Sequence, residues 1–360
     1  RLTSAIVHVV IEEILGYNVV STAGVVESIS AYKALTGCLR PTSLTDDGCG
    51  LSSVTYNHIA MEVWSTYIKE IEELEQRYPL MAAVDLGNIG YIGTQGMFIP
   101  RSIQQRAYAE ENLVLEIYRS WNATWSETWN FFASIEAVFA LERATNASLV
   151  LPCNETRFMV SHNMRAYLNH TGDEGGVVQL PSGEYMAACP DAYFWHPPAC
   201  RGNTARCVIL LTGGNGWGSD EMMHKATAFN MPLAFGVARK WSTLPLQLQT
   251  AAFMWWTPDP TFLQLDPVPL IFPDHDFSAW QQGDKRSQYS DLPITKIASQ
   301  DLARLAADVE AFIQKVQFPV GDVNAMMLEQ QTTNASYREL ACKWLRANPA
   351  WQNWLPDETN

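Results

Sequence analysis

The sequence predicts an α/β fold made of two lobes. Its 360 residues are 47% hydrophobic, which is enough apolar material for a sizeable core, and a chain of this length favours two folding units over one. Stretches with strand character alternate with stretches of helical spacing along the chain. This alternation is typical of mostly parallel sheets that carry helices on both faces.

The first hundred residues contain alternating elements of one lobe. Residues 4–20 have helical apolar spacing as far as Gly16 and are β-branched afterwards, which predicts a helix followed by a strand. Residues 58–78 predict a buried strand and a charged helix. Residues 81–100 predict short strands separated by glycines. We place a lobe boundary at Pro100.

The next hundred residues are rich in aromatic side chains. Trp121, Trp125 and Trp129 recur every four residues, a spacing that predicts one face of a helix packed on its lobe. We interpret residues 101–200 as an insertion into the second lobe. The predicted lobe 1 is residues 1–100 plus 267–360, and lobe 2 is residues 101–266.

The last part of the chain returns to clear α/β signals. An apolar strand, a glycine-rich turn and a helix that begins near Ser219 or Asp220 follow each other in residues 205–230. A further strand ends at Trp256, and one tail helix begins at Ser299. A second tail helix begins at Ser336, which forms a capping box with Glu339.

Charge and hydropathy exclude two classes of partner. The formal net charge is -14 and the isoelectric point is about 4.9, so the chain lacks the clustered Lys and Arg that hold nucleic-acid phosphates. No stretch approaches the roughly 18 to 20 apolar residues of a membrane-spanning helix. Because the sequence begins at Arg1, we expect a fragment from which any signal peptide or anchor has been cut.

Sequons and cysteines indicate an oxidising, secretory compartment. Seven cysteines are present. Five motifs for N-glycosylation lie in polar contexts, at Asn122, Asn146, Asn154, Asn169 and Asn334. We therefore expect a secreted or cell-surface protein. The alternative is that the cysteines are buried free thiols.

Two cysteine pairs have spacings that suit local disulfides. Cys38 and Cys49 flank one turn-rich loop, and Cys200 and Cys207 flank another. The connectivity of the other three, Cys153, Cys189 and Cys342, is left open. With an odd number of cysteines, at least one stays unpaired or pairs between molecules.

The turn GGNGWGSDEMM has the outline of an anion-binding cradle. Small residues stand directly before a helix, so backbone N–H groups can approach a ligand and the helix dipole favours negative charge. No Lys follows the glycines as a P-loop requires, and the dinucleotide fingerprint is also missing. Taken alone, this turn is better interpreted as a structural turn. Trp217 within it would face the usual ligand crevice at the carboxyl end of a strand.

Catalytic and metal-binding motifs are missing from the sequence. Asp274, His275 and Asp276 are adjacent, but neighbours in an extended segment point to opposite faces, so a solvated loop is the better interpretation. The sequence has no C-x-x-C, H-E-x-x-H or G-x-S-x-G motif. We expect no catalytic residues, no metal and no cofactor, and hence no enzyme.

Several motifs together resemble one known family. GGNGWGSDEMMHK, FMWWTP, FPVGDVNAMM and WLRANPAWQNWL occur in this order, with LGYNVV, EVW and DLGNIGYIG before them. This pattern is similar to that of the glycine-betaine and proline-betaine substrate-binding proteins of ABC importers. The resemblance implies a type II periplasmic-binding-protein-like fold, with a ligand cleft between two lobes.

The resemblance also implies the ligand contacts. Trp217, Trp256 and Trp64 match the tryptophans of the family's aromatic box, and the backbone amides of Gly218 and Ser219 match those that hold the ligand carboxylate. The box is chemically sensible, because a trimethylammonium group has no N–H donor and only π-faces and dispersion suit its shape.

One position departs from the family pattern. Ile68 stands where periplasmic relatives carry a histidine that helps to hold the carboxylate, so we expect weaker discrimination between betaine and choline.

Two functional hypotheses follow from the sequence. The first is an extracellular solute-binding domain that captures glycine betaine, proline betaine, choline or a similar compound, with a membrane transporter as a possible partner. The second is a glycosylated structural or interaction domain of a larger secreted or cell-surface assembly that reuses the same fold. The retained Trp217 and Trp256 favour the first hypothesis, and the sequons and the insertion favour the second.

Overall fold

The fold is given by a computed structural model. It describes residues 1–22, 28–43, 47–50, 55–64, 68–79, 82–156, 163–213, 217–241 and 249–356, leaving aside the side chains of residues 68–70, 163, 263 and 264. Helices and strands alternate over these residues, which confirms the α/β class.

The helices are α1 (Leu2–Glu13), α2 (Ser28–Leu35), α3 (Ile68–Arg77), α4 (Arg101–Glu111), α5 (Ile135–Thr145), α6 (Asn163–Thr171), α7 (Ser219–Ala228), α8 (Pro260–Gln264), α9 (Phe277–Gln281), α10 (Leu302–Leu305), α11 (Ala307–Lys315), α12 (Val320–Thr333) and α13 (Tyr337–Ala347). The strands are β1 (Ile59–Trp64), β2 (Val84–Pro100), β3 (Val150–Leu151), β4 (Val177–Gln179), β5 (Tyr185–Ala187), β6 (Phe194–Trp195), β7 (Val208–Thr212), β8 (Leu233–Ala238), β9 (Ala252–Thr257), β10 (Pro267–Pro269) and β11 (Leu292–Ala298).

The chain divides into two compact units. Unit 1 consists of Arg1–Thr94, Pro258–Pro260 and Asp291–Asn360, and unit 2 consists of Gln95–Thr257 and Thr261–Ser290. Strand β2 therefore starts in unit 1 and ends in unit 2.

Unit 1 is built on antiparallel strands. β11 pairs with β1 on one side and with the first part of β2 on the other. Apolar side chains of α1, α11 and α13 fill its core. Helix α13 starts with the predicted capping box, in which the Ser336 hydroxyl accepts from the Glu339 amide and the Glu339 carboxylate accepts from the Ser336 amide.

Unit 2 has a parallel centre. β7 pairs in parallel with both β8 and β9, and all five residues of β7 are buried. The short strands β3 and β6 pair antiparallel with β8, and β9 neighbours β2. The carboxyl ends of β7, β8 and β9 consequently lie at one edge of this sheet, which is the edge where α/β proteins usually bind ligands.

The segment 267–290 lies in unit 2, whereas the sequence analysis assigned it to lobe 1. Hydrogen bonding and burial explain the difference. β10 pairs antiparallel with the end of β2, with Val268 opposite Ile99. Leu270 and Phe272 then enter the core that also contains β7 and α7. Apart from the short segment Pro258–Pro260, the chain therefore returns to unit 1 only at Asp291.

Three local predictions were wrong. No strand follows α1, because residues 17–22 find no pairing partner and Val20 is exposed. Residues 84–100 form one long strand instead of several short ones. The predicted helix at Ser299 is two short helices that begin at Leu302 and Ala307.

The tryptophans 121, 125 and 129 do not share a helix face. Short 3-10 turns and loops occupy this stretch. The side chain of Asn122 accepts a hydrogen bond from the Thr124 amide at 3.0 Å, and such local bonds compete with helix formation. Trp121 is buried, whereas Trp125 is 68% exposed.

Both predicted disulfides are present. Cys38 is bonded to Cys49, and Cys200 to Cys207. A third disulfide joins Cys153 to Cys189, and Cys342 is a free thiol.

Across the described ranges, every helix falls short of the length and apolar character needed to cross a membrane.

Candidate functional site

Three tryptophans follow three neighbouring parallel strands of unit 2. Trp217 follows β7, Trp241 follows β8, and Trp256 lies near the end of β9. Because these strands run in the same direction, the three residues lie at the same carboxyl edge of the sheet. We call Trp217, Trp241 and Trp256 the tryptophan cluster.

The indole rings of the tryptophan cluster contact one another with interplanar angles from 45° to 75°. The centroids of Trp217 and Trp256 are 4.8 Å apart, with ring planes at 75°. Trp241 lies 4.8 Å from Trp256 and 6.0 Å from Trp217. All three side chains are half-buried. Rings at these angles turn their π-faces in different directions.

Backbone geometry holds two members of the cluster in place. The Trp217 amide donates to the Gly213 carbonyl at 3.0 Å, and the Thr212 hydroxyl donates to the Trp217 carbonyl at 2.8 Å. A Cβ atom on Gly213 would lie 2.7 Å from the Cβ of Trp241. Only glycine therefore fits where Trp241 crosses the end of β7.

Trp255 supports the cluster from the core side. It is 1% exposed, and its ring is stacked near Trp256 with centroids 5.6 Å apart and planes at 13°. Trp255 thus packs near Trp256 even though neighbouring strand residues point to opposite faces. Trp255 is a core residue, whereas Trp256 is the indole for which the sequence predicts a ligand contact.

The predicted cradle is the start of α7. Gly218 is the N-cap and has a left-handed backbone with φ 61°, a conformation that favours glycine. Ser219 is the first helical residue and is buried. Gly218 has no side chain with which to cap the helix, and within the described residues the N-cap makes no side-chain bond, so the first amides of α7 can serve a ligand. Residues 214–216 of the predicted turn lie outside the described residues.

Helix α7 carries a buried lysine about two turns below the cradle. Lys225 is 0% exposed, its Nζ donates to the Lys285 carbonyl at 2.8 Å, and it lies 4.1 Å from the ring centroid of Tyr289 and 4.8 Å from that of Trp280. Burial lowers the pKa of Lys225 to about 7. The aromatic rings partly replace the water that this ammonium loses.

Glu221 lies between this lysine and the cradle. Its Oε2 atom is buried and has no hydrogen-bond partner among the described residues. Burial, followed by the negative charge of Asp220, raises the pKa of Glu221 to about 7, and Lys225 acts in the opposite direction. Glu221 and Lys225 are four residues apart on one helix, so the charge of each residue shifts the pKa of the other.

The third tryptophan that the sequence analysis assigned to the box lies in unit 1. Trp64 ends β1, and its amide donates to the Ser28 hydroxyl at 2.9 Å. Its ring rests on Gly93, where a Cβ atom would lie 2.3 Å from a ring carbon. Trp64 is half-buried. Its grouping with Trp217 and Trp256 stays a prediction, as does the role of Ile68, whose side chain is outside the described set.

The segment Asp274–Asp276 is a solvated loop, as predicted. Asp274 and Asp276 are exposed; Asp276 caps α9 by accepting from the Ala279 amide at 2.9 Å. His275 Nδ1 lies 2.8 Å from the Gln288 carbonyl. In the described part of the chain, no group of three or more His, Cys, Asp or Glu side chains could hold a metal ion.

Sequence reasoning missed Trp241, Glu221 and Lys225. Trp241 carries a signal that could have been used, since it follows the apolar strand LAFGVA within three residues of its end. Its neighbours in space depend on the order of the strands, which the sequence does not give. The burial of Lys225 depends on the return of segment 267–290 to unit 2, which was assigned differently.

Comparison with known families gives a partial match by sequence. Residues 247–347 match a family model named OpuAC, the substrate binding domain of ABC-type glycine betaine transport system. This segment runs from just before β9 into α13 and includes Trp256, but not Trp217 or Trp64. No curated protein sequence matches the chain.

Solved structures match over almost the whole chain. Lactococcal OpuAC, in its closed-liganded conformation complexed with glycine betaine, is 12% identical, and the match covers 99% of this chain and 94% of that one with a TM-score of 0.50. The glycine betaine/L-proline-binding protein ProX from Borrelia burgdorferi is 11% identical, with coverage of 99% and 93% and a TM-score of 0.50.

The structural matches confirm the predicted fold, and residues 247–347 carry a sequence match to the family that the chain resembles. At such low identities the structural likeness establishes the type II periplasmic-binding-protein-like fold and nothing finer. The matched family and structures are solute-binding proteins, which are not enzymes. This agrees with the expectation that the chain is not an enzyme.

Proposed function

We propose that this chain is an extracellular solute-binding protein that captures a small quaternary-ammonium compound on its tryptophan cluster. The observation that carries the proposal is the steep contact between Trp217 and Trp256, with planes at 75°, at the carboxyl edge of a parallel sheet. Trp241 supplies a third indole beside them.

The chemistry of the cluster suits a quaternary ammonium group. Such a group cannot donate an N–H hydrogen bond, so π-faces and methyl contacts are its best partners. Each indole face contributes about 0.5 to 2 kcal/mol. Three faces with buried methyl surface approach the roughly 8 kcal/mol of a micromolar complex. The amides of Gly218 and Ser219 are the groups proposed to contact the other end of the ligand, and Trp64 is retained as a predicted contact from unit 1.

The proposed setting is the extracellular side of a membrane. Three disulfides support an oxidising compartment, and the matched family belongs to ABC-type transport systems. We propose delivery of the ligand to a membrane transporter as the role of binding.

One observation favours the second hypothesis, a glycosylated interaction domain. The part of unit 2 that contains the disulfide Cys153–Cys189 also carries exposed sequon asparagines at Asn146, Asn154 and Asn169. Such a decorated surface is typical of a domain built into a secreted or cell-surface assembly. This hypothesis does not need an occupied tryptophan cluster.

Fluorescence titration separates the two hypotheses. Tryptophan emission is recorded while tetramethylammonium, choline or glycine betaine is added, with sodium chloride at equal ionic strength as the control. A solute-binding protein gives a saturable change with at least one of the three compounds in the micromolar range. An interaction domain with an unused cluster gives no saturable change with any of them.

A further inference from the structure

Glu221 stands beside the start of α7, where the head of a ligand would meet the helix amides. A Cβ atom placed on Gly218 would lie 3.4 Å from Glu221 Oε2, so the carboxylate oxygen is next to the N-cap backbone. Glu221 belongs to the first turn of α7, and its side chain folds back towards the start of that helix. The positive end of the helix dipole is therefore already close to a carboxylate of the chain itself.

The buried oxygen of Glu221 has spare capacity to accept a hydrogen bond. Oε2 is inaccessible to solvent and makes no hydrogen bond within the described residues. Buried carboxylate oxygens are normally paired. A ligand that brings a hydroxyl donor would satisfy this oxygen, whereas a ligand that brings a second carboxylate would place two anions side by side.

The titratable groups around Glu221 come from two segments. Asp220 and Lys225 belong to α7, and Lys285 and Tyr289 belong to the segment between α9 and β11. Lys225 is engaged with the Lys285 carbonyl and with the face of Tyr289, and no ion pair between Lys225 and Glu221 is formed at 4.0 Å or less among the described residues. Lys225 therefore leaves Glu221 Oε2 without a hydrogen-bond donor among the described residues, and a ligand hydroxyl could supply one.

We propose that Glu221 is a specificity-determining residue that selects a hydroxyl-bearing quaternary ammonium ligand of the choline type and disfavours one with a carboxylate. This inference rests on the proposed function, since it concerns the head group of the same ligand. This role of Glu221 gives a reason, independent of Ile68, for a preference for choline over glycine betaine.

The test is calorimetry on the wild-type chain and on Glu221→Gln, with choline, glycine betaine and tetramethylammonium. Tetramethylammonium has neither hydroxyl nor carboxylate, so it reports on the aromatic contacts alone. We expect the wild type to bind choline at least tenfold more tightly than glycine betaine, and Glu221→Gln to reduce this ratio at least fivefold. Glu174→Gln is the matched control, because Glu174 is an exposed acid of the same unit and the substitution replaces the same carboxyl group with the same amide.

The outcomes distinguish the two proposals. If tetramethylammonium binds and Glu221→Gln keeps the wild-type ratio of choline to betaine affinity, the role of Glu221 is refuted while the proposed function stands. A wild type that prefers glycine betaine refutes it as well. If none of the three compounds binds, the proposed function fails and this inference fails with it.

A second measurement needs no variant. The pKa of Glu221 is raised to about 7 by burial, so its negative charge is present above that pH and is lost below it. Lys225 gains its positive charge over the same pH range. Both changes make the site less unfavourable for a ligand carboxylate as the pH falls. The wild-type ratio of choline to betaine affinity should fall at least threefold from pH 8 to pH 5.5, and a ratio that is constant or rises would overturn the assignment.

Discussion

Trp217 and Trp256 meet edge to face in unit 2, with ring centroids 4.8 Å apart and ring planes at 75°. They come from the ends of two adjacent parallel strands, and the Trp217 backbone is fixed by bonds to Thr212 and Gly213. Two indoles held in this way offer faces in two directions without any rearrangement of the backbone. This arrangement is the structural basis of the proposed binding site.

The first prediction concerns these two indoles. Trp256→Ala should weaken choline binding at least tenfold, about 1.4 kcal/mol, because it removes one π-face and its buried contact area. Trp217→Ala should behave in the same way. Trp125→Ala is the control, because Trp125 is an exposed tryptophan of the same unit. Calorimetry in which all three variants lose affinity equally would show that the site has been placed incorrectly.

The second prediction concerns the disulfides. In the loop-entropy description, closing the longer loop stabilises more. Removing Cys153–Cys189, with a separation of 36 residues, should lower the free energy of unfolding by about 4 kcal/mol. Removing Cys200–Cys207, with a separation of 7 residues, should lower it by about 2.5 kcal/mol.

Chemical denaturation of the two paired Cys→Ser variants measures this difference. Peptide mapping without reduction should first recover both pairs as linked peptides. Recovery of Cys200 and Cys207 as free thiols would contradict the connectivity, and a smaller loss for the longer loop would contradict the entropic explanation.

The third prediction concerns glycosylation, for which exposure differs among the sequons. Asn146, Asn154, Asn169 and Asn334 are exposed. Asn122 is half-buried, and its side-chain oxygen accepts from the Asn230 side chain at 3.0 Å. Glycopeptide mapping of protein secreted by a eukaryotic host should find the four exposed sites occupied more fully than Asn122. Equal occupancy at Asn122 would contradict this ranking, and a complete lack of glycans would contradict the secretory assignment.

The fourth prediction concerns stability at acidic pH. His224 is 1% exposed, and burial lowers its pKa from 6.5 to about 3. Between those values the unfolded chain binds a proton that the folded chain does not, so stability falls as pH drops below 6.5. The lowered pKa of His224 alone should reduce the free energy of unfolding by about 2 kcal/mol between pH 6.5 and pH 5.

Denaturation at pH 7 and pH 5 tests the contribution of His224. His224→Gln should reduce the loss of stability on acidification, whereas His8→Gln, on a half-buried histidine of unit 1, should leave it close to the wild-type loss. A His224→Gln variant with the full wild-type loss would show that another group is responsible.

Local patterns in the sequence predicted much of unit 2, and long-range contacts explain what was missed. The apolar run of β7, the glycines after it and the start of α7 at Ser219 are all short-range signals, and they were predicted correctly. Trp241 was missed because its contact with Trp256 depends on the order of β8, β7 and β9. No local pattern encodes that order.

The errors in the sequence analysis also have physical causes. Trp121 and Trp125 are four residues apart, a spacing that suggested a helix. The Asn122 side chain instead forms a local hydrogen bond with the Thr124 amide, and such bonds compete with helix formation. The segment 267–290 was assigned to lobe 1 because nothing in its composition shows that Val268 pairs with Ile99. Its return to unit 2 is what buries Lys225 beneath Tyr289.

The most direct test of the central claim compares choline with 3,3-dimethylbutan-1-ol, its uncharged isostere, by calorimetry on the wild-type chain. The two ligands have the same shape and the same hydroxyl, and they differ in the positive charge that the indole faces of Trp217 and Trp256 are proposed to recognise. We predict that choline binds at least tenfold more tightly, about 1.4 kcal/mol. Equal affinities, or no binding of choline, would contradict recognition of a quaternary ammonium group by the tryptophan cluster.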